Sequence, residues 1–156
     1  MSHSISGIVT SFKYKGNLPH VYLVKDYAFI PISCDQEGFR GAPVLPFNQL
    51  SEPIRRLLRE QSFSGACAYI ETDFFGGVGT QTAVVWKNGR IVLGPIASEH
   101  LGTISKEGKV VVTLVDEAVN EALKFIGIVA YQGKDEFETA KLHRFRENES
   151  ALELNA

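Results

Sequence analysis

Apolar and polar positions alternate with a period of two over much of this chain, and change to a helical period in only two stretches. The alternation is clearest from Ala66 to Phe75. Cys67, Tyr69, Glu71, Asp73 and Phe75 fall on one face of an extended strand, and Ala66, Ala68, Ile70, Thr72 and Phe74 fall on the other. Gly76-Gly77-Val78-Gly79 makes a tight reversal, and Thr80 to Lys87 is the returning strand. Asn88-Gly89 signals a type I′ hairpin, because both central positions of that turn need positive φ. With Arg90 to Ile96 returning once more, the pattern predicts a three-stranded antiparallel meander.

The flanks add strands and helices. Ser4 to Phe12 reads as a strand, followed by a turn over Lys13 to Pro19. Val21 to Ile32 is β-branched and aromatic: one long strand, or two broken at Lys25-Asp26, with Pro31 marking an edge or a terminus. Ser51 starts a helix whose Ile54, Leu57 and Leu58 share one face. Ser98 to Gly108 is polar, with a turn at Lys106-Glu107-Gly108, and Val110 to Val115 reads as a short strand. Asp116 to Ile126 is the second helix, with Val119, Ala122, Leu123 and Ile126 as its buried stripe and Gly127 closing it. Ile128 to Tyr131 reads as a further short strand, and Asp135 to Leu142 as a helical turn or two. The expectation is a single α+β domain over residues 1–147, an antiparallel sheet of about five to seven strands with two main helices packed on it. Residues 148–156 are expected to fray.

Cys34 to Leu50 stands apart, with Gly38, Gly41, Pro43 and Pro46 and no regular period. A structureless stretch of that length is either a packed Ω-type loop or a binding loop. Phe39 and Arg40 are its candidate contact residues.

Composition narrows the class. Hydrophobic residues make up 44% and charged residues 22% of the 156 positions, which excludes wholesale disorder. The net charge of −2 lacks the basic excess of a nucleic-acid binder. The one basic cluster, Lys141, His143, Arg144 and Arg146, sits beside Glu147 and Glu149 as a mixed-charge surface. Met1-Ser2-His3-Ser4 does not open a secretory signal, and no apolar run is long enough to span a bilayer, so a cytoplasmic location is expected. Cys34 and Cys67 have no CxxC spacing and are read as free thiols.

Candidate chemistry is sparse. The glycine stretch is no P-loop, because Gln81-Thr82 stands where the phosphate-reaching Lys would be. It is no dinucleotide fingerprint either, because a strand follows instead of a helix. His3, His20, His100 and His143 show no metal-ligand spacing, and there is no GxSxG elbow. No metal or cofactor is expected. Glu71 and Asp73 share a strand face, with Tyr69 and Phe75 beside them, Gln81 across the turn and Trp86 on the returning strand. Paired carboxylates can hold a cation, act as acid and base, or meet a partner's basic residues. They can equally be a solvated strand face.

Two stretches resemble segments of small, uncharacterised bacterial cytoplasmic proteins, some of which look like immunity proteins of toxin systems. One is Tyr69-Ile70-Glu71-Thr72-Asp73-Phe74-Phe75-Gly76-Gly77-Val78-Gly79-Thr80-Gln81, followed by Trp86. The other is Val119-Asn120-Glu121-Ala122-Leu123-Lys124-Phe125-Ile126-Gly127-Ile128, followed by Asp135-Glu136-Phe137. The resemblance implies a protein partner and carries no catalytic residues.

Two functional readings follow. In the first, the chain is a non-enzymatic protein-binding module of immunity or inhibitor type, acting through Tyr69, Glu71, Asp73, Phe75, Gln81 and Trp86, with Phe39 and Arg40 from the loop. In the second, it is a small enzyme or ligand-binding protein using Glu71 or Asp73 with a histidine, which requires a concave pocket. Either is compatible with a homo-oligomer.

Overall fold

A computed structural model of the chain describes residues 3–75, 78–98 and 112–153. Strand β1 (His3–Thr10) is buried from Ile5 onward. The β-branched run after it divides into β2 (Val21–Tyr22) and β3 (Ala28–Pro31). The break is where expected: Lys25 and Asp26 take φ of 54° and 66°, a reversal that ends strand pairing. Pro31 is the last residue of β3, where its missing N–H costs no ladder bond.

Helix α1 (Glu52–Gln61) begins after Ser51. The Ser51 side chain does not cap it; its hydroxyl donates to the Phe39 carbonyl instead, tying the preceding loop to the helix start. The meander forms as β4 (Cys67–Phe75), β5 (Val78–Lys87) and β6 (Arg90–Ala97). Asn88 and Gly89 take φ of 53° and 77°, the pair of positive values that a type I′ turn requires. After β6 come β7 (Thr113–Leu114), α2 (Ala118–Phe125), α3 (Glu136–Thr139) and α4 (Asn148–Glu153). The expected turn at 106–108 lies outside the described residues.

The seven strands form one sheet in the order β2-β3-β1-β4-β5-β6-β7. It is mixed: β6 and β7 run parallel and every other pair is antiparallel. The chain is therefore α+β; among the described residues it has four α-helices: the two main ones expected, α3 within the helical turn expected over 135–142, and α4. Residues 128–131 are not a strand. After the turn at Gly127, with φ of 107°, Ile128 packs in the core while Val129 and Tyr131 are exposed. Residues 148–153, expected to fray, form α4. It is anchored by Ala151, which is fully buried, and by Asn148, whose Oδ1 accepts the Ser6 N–H at 2.9 Å.

Both faces of the sheet are covered. One face packs Ile5, Val9, Ala68, Ile70, Ala83 and Val85 against α2 and against Ala140, Leu142, Phe145 and Ala151. The other packs Ile8, Ile30, Cys67, Tyr69, Val84 and Trp86 against α1 and the loop residues Phe47 and Leu50. The apolar stripes of the two main helices thus cover opposite faces.

The middle of the sheet leaves no room at Gly7. A Cβ there would stand 2.4 Å from the Ile30 carbonyl oxygen and 2.7 Å from the Phe29 ring. Both atoms belong to the paired strand and cannot swing aside. Gly7→Ala is therefore expected to lower stability by about 1–3 kcal/mol, the usual cost of overpacking, read as a shifted urea midpoint. A midpoint unchanged from the wild type would show that β1 and β3 part freely.

Candidate functional site

Strand β4 alternates as expected, but its acidic face is no open surface. Tyr69 is fully buried and Glu71 is 7% exposed. The 33–50 loop folds back over them. Phe47 sits edge-on to the Tyr69 ring, centroids 5.3 Å apart. The Asn48 N–H donates to Glu71 Oε1 at 2.7 Å, and the Gln49 N–H donates to Oε2 at 2.8 Å. The Tyr69 hydroxyl adds a third bond to Oε2 at 2.6 Å. Gln49 Oε1 in turn accepts the Cys34 N–H at 3.2 Å, closing the base of the loop. The loop is thus packed on the sheet and held by one carboxylate.

A buried carboxylate is costly unless hydrogen bonds replace its water. Three donors do so here, two of them backbone N–H groups. Burial pushes the Glu71 pKa above its ordinary value, and the three bonds offset only part of that push. None of the donors is cationic, and among the described residues no Lys or Arg pairs with this side chain. Tyr69 is pushed well above its ordinary pKa, first by burial and then by the Glu71 charge, so it remains a donor.

Glu71 also lines a cleft of about 510 Å³. Ser6, Thr80 and Thr82 face it from the sheet. Asp35, Asn48 and Gln49 face it from the loop, and Glu147, Asn148 and Glu149 from the start of α4. Asp73, which is exposed, stands at its side. Among the described residues, five carboxylates line this space and no lysine or arginine does. Those carboxylates do not converge into a metal-binding cluster.

The remaining expected site residues do not join this group. Gln81 pairs across the hairpin with Thr72, so it lies on the opposite face, where its Oε1 accepts the Val119 N–H at 3.0 Å and holds the start of α2. Trp86 is buried under α1, with the Arg59 guanidinium 5.7 Å from its ring centre. Phe39 is half-buried, Arg40 is exposed, and neither lines the cleft. The Phe75 side chain lies outside the described residues. His3 donates to or accepts from Thr72 at 2.7 Å, again on the opposite face. Among the described residues no imidazole lines the cleft; His100 is not among them. Cys34 and Cys67 are free, and burial pushes the Cys67 thiol up to about 12, which keeps it protonated and inert.

The raised Glu71 pKa fixes the sign of a pH effect. From the ordinary value of 4.5 up to the raised folded value, the folded protein binds the proton that the unfolded chain has lost, so stability falls as pH rises. Glu71→Gln is expected to flatten that fall, measured by urea unfolding from about pH 4 to 7. An equal slope in both proteins would show that Glu71 titrates as it does unfolded. Tyr69→Phe, which removes one bond to a charged acceptor, is expected to cost about 1.5–3 kcal/mol in the same assay.

No family model, curated protein or solved structure matches this chain, and its functional reading therefore rests on the residues described above.

Proposed function

We propose that the chain is a non-enzymatic binding protein whose acidic cleft receives an ammonium or guanidinium group from a basic segment of a protein partner. The observation that supports it is the buried Glu71 carboxylate, which no cation pairs among the described residues, at the wall of a cleft lined by four further carboxylates. Negative charge in a low-dielectric concavity attracts a cation more strongly than the same charge on an open face. An immunity or inhibitor protein that captures a basic site on its target is one use of such a cleft. The acidic aromatic strand face is recast here: Tyr69 and Trp86 support the site from within the core, and Glu71, Asp73 and the α4 start present the charge.

A second reading has the cleft bind a small polyhydroxylated amine. Its size, about 510 Å³, is within the range of small-molecule sites, and Thr80 and Thr82 bring hydroxyls to its wall. An enzymatic form of this reading lacks its histidine among the described lining residues. Most of the Glu71 lone pairs are also committed to Asn48, Gln49 and Tyr69.

Glu71 is unsuited to a charge-reversal test, because the change would release the loop. The exposed pair Asp73→Asn with Glu147→Gln leaves the core untouched. By calorimetry, an Arg- and Lys-rich peptide is expected to bind the wild type with an affinity that falls as salt rises. The double variant should bind roughly three- to tenfold more weakly, the size expected of two exposed charge pairs. Binding of spermidine as tight as that of the peptide would favour the small amine. No binding of either probe, or binding indifferent to the variant, would overturn the acidic-cleft reading.

A further inference from the structure

A second cavity, of about 650 Å³, opens away from the acidic cleft, and its chemistry is the reverse. Its apolar lining comes from Val24, Ile128, Val129, Ala130 and Tyr131. Ile128 is buried, whereas Val129 is 70% and Tyr131 64% exposed. Large apolar side chains left at a cavity mouth are a feature to be explained, since a soluble chain gains by burying them. Lys25, Lys134, Lys141 and Arg144 also line the space, against one acid, Glu138.

That acid is engaged: Glu138 serves the capping box at the start of α3, its side chain turned to the Asp135 N–H. None of the four cations forms an ion pair with a described carboxylate; the ion pair found among the described residues is Arg55 with Glu52. In a chain of net charge −2, an unneutralised basic cluster around an apolar hollow is a local arrangement that bulk composition does not dictate. His143 also lines the cavity; its Nδ1 is buried beneath the surface and has no hydrogen-bond partner among the described residues.

We infer that this cavity binds a free amphipathic carboxylate, an unbranched aliphatic chain of medium length with a carboxylate head. The chain lies on Ile128, Val129 and Tyr131, and the head meets Lys25, Lys141 and Arg144. The volume suits a single small ligand better than a flat lipid surface does. The two demands are distinct, so a tail without charge, or a charge without tail, meets only half of the site.

The test is calorimetric titration of the full chain with decanoate below its micelle concentration, alongside acetate, 1-octanol and vesicles of phosphatidylcholine with phosphatidylglycerol. Saturable binding of one decanoate is expected, with acetate silent and octanol about tenfold weaker. Lys25→Ala with Lys141→Ala, both exposed positions, should weaken decanoate about tenfold and leave octanol unchanged. Val129→Asp should weaken both, and a circular dichroism spectrum matching the wild type would show the fold intact. Asp73→Asn with Glu147→Gln should leave decanoate binding alone, which separates this site from the acidic cleft. No saturable decanoate binding, affinity unaffected by the lysine changes, or sedimentation with anionic vesicles in the absence of decanoate binding would each overturn the proposal.

Discussion

The structure around the acidic cleft depends on one buried carboxylate. Glu71 is drawn into the protein by strand alternation, which places it on the face that carries Cys67 and Tyr69. Having lost its water, it needs donors, and the nearest supply is the backbone of the 33–50 loop. Satisfying the charge therefore fixes the loop. Fixing the loop seats Phe47 on Tyr69 and completes the core beneath α1. A stretch with no helix or strand of its own is thus pinned by a side chain from a neighbouring element, together with its own buried Phe47 and Leu50. The same side chain stands at the cleft wall, so the group that pins the loop is also part of the cleft's acidic lining.

The two cavities show how a chain of nearly balanced charge separates its signs. Acids collect where the end of the sheet meets the 33–50 loop and α4, and bases collect where the turn at 24–26 meets the segment after α2. Neither grouping is visible in net charge. Each arises because chain segments distant in sequence are brought together by the sheet.

What was legible in the sequence follows from how local each signal is. The meander, its Asn88-Gly89 turn, the break at Lys25-Asp26 and the stripes of α1 and α2 are written within a few residues, and all are found. The error at Glu71 has a physical reason. Alternation assigns a residue to a face, but it does not say whether that face meets solvent. Here helices and a loop cover both faces, so an acid that looked exposed is buried. Gln81 was misplaced by register: pairing Phe75 with Val78 sets Gln81 against Thr72 instead of beside the acids. The cleft's other lining residues, Asn48, Gln49 and Asn148, act through backbone and amide groups. Nothing in their spacing marks them. The tail was missed because α4 is too short to stand alone and forms by docking on β1.

The docking of α4 on β1 also sets the order of events in the life of each molecule. Ser6 and Asn148 are 142 positions apart, yet they meet at the same cleft. Strand β1 is synthesised well before Glu147 and Glu149. The sheet and the Glu71 pin can assemble from earlier segments, but the acidic wall cannot. Until residue 149 has emerged, a growing chain has a core and no complete cleft. A chain that stops short of Glu147 therefore keeps the Glu71 pin and lacks the acidic wall beside it.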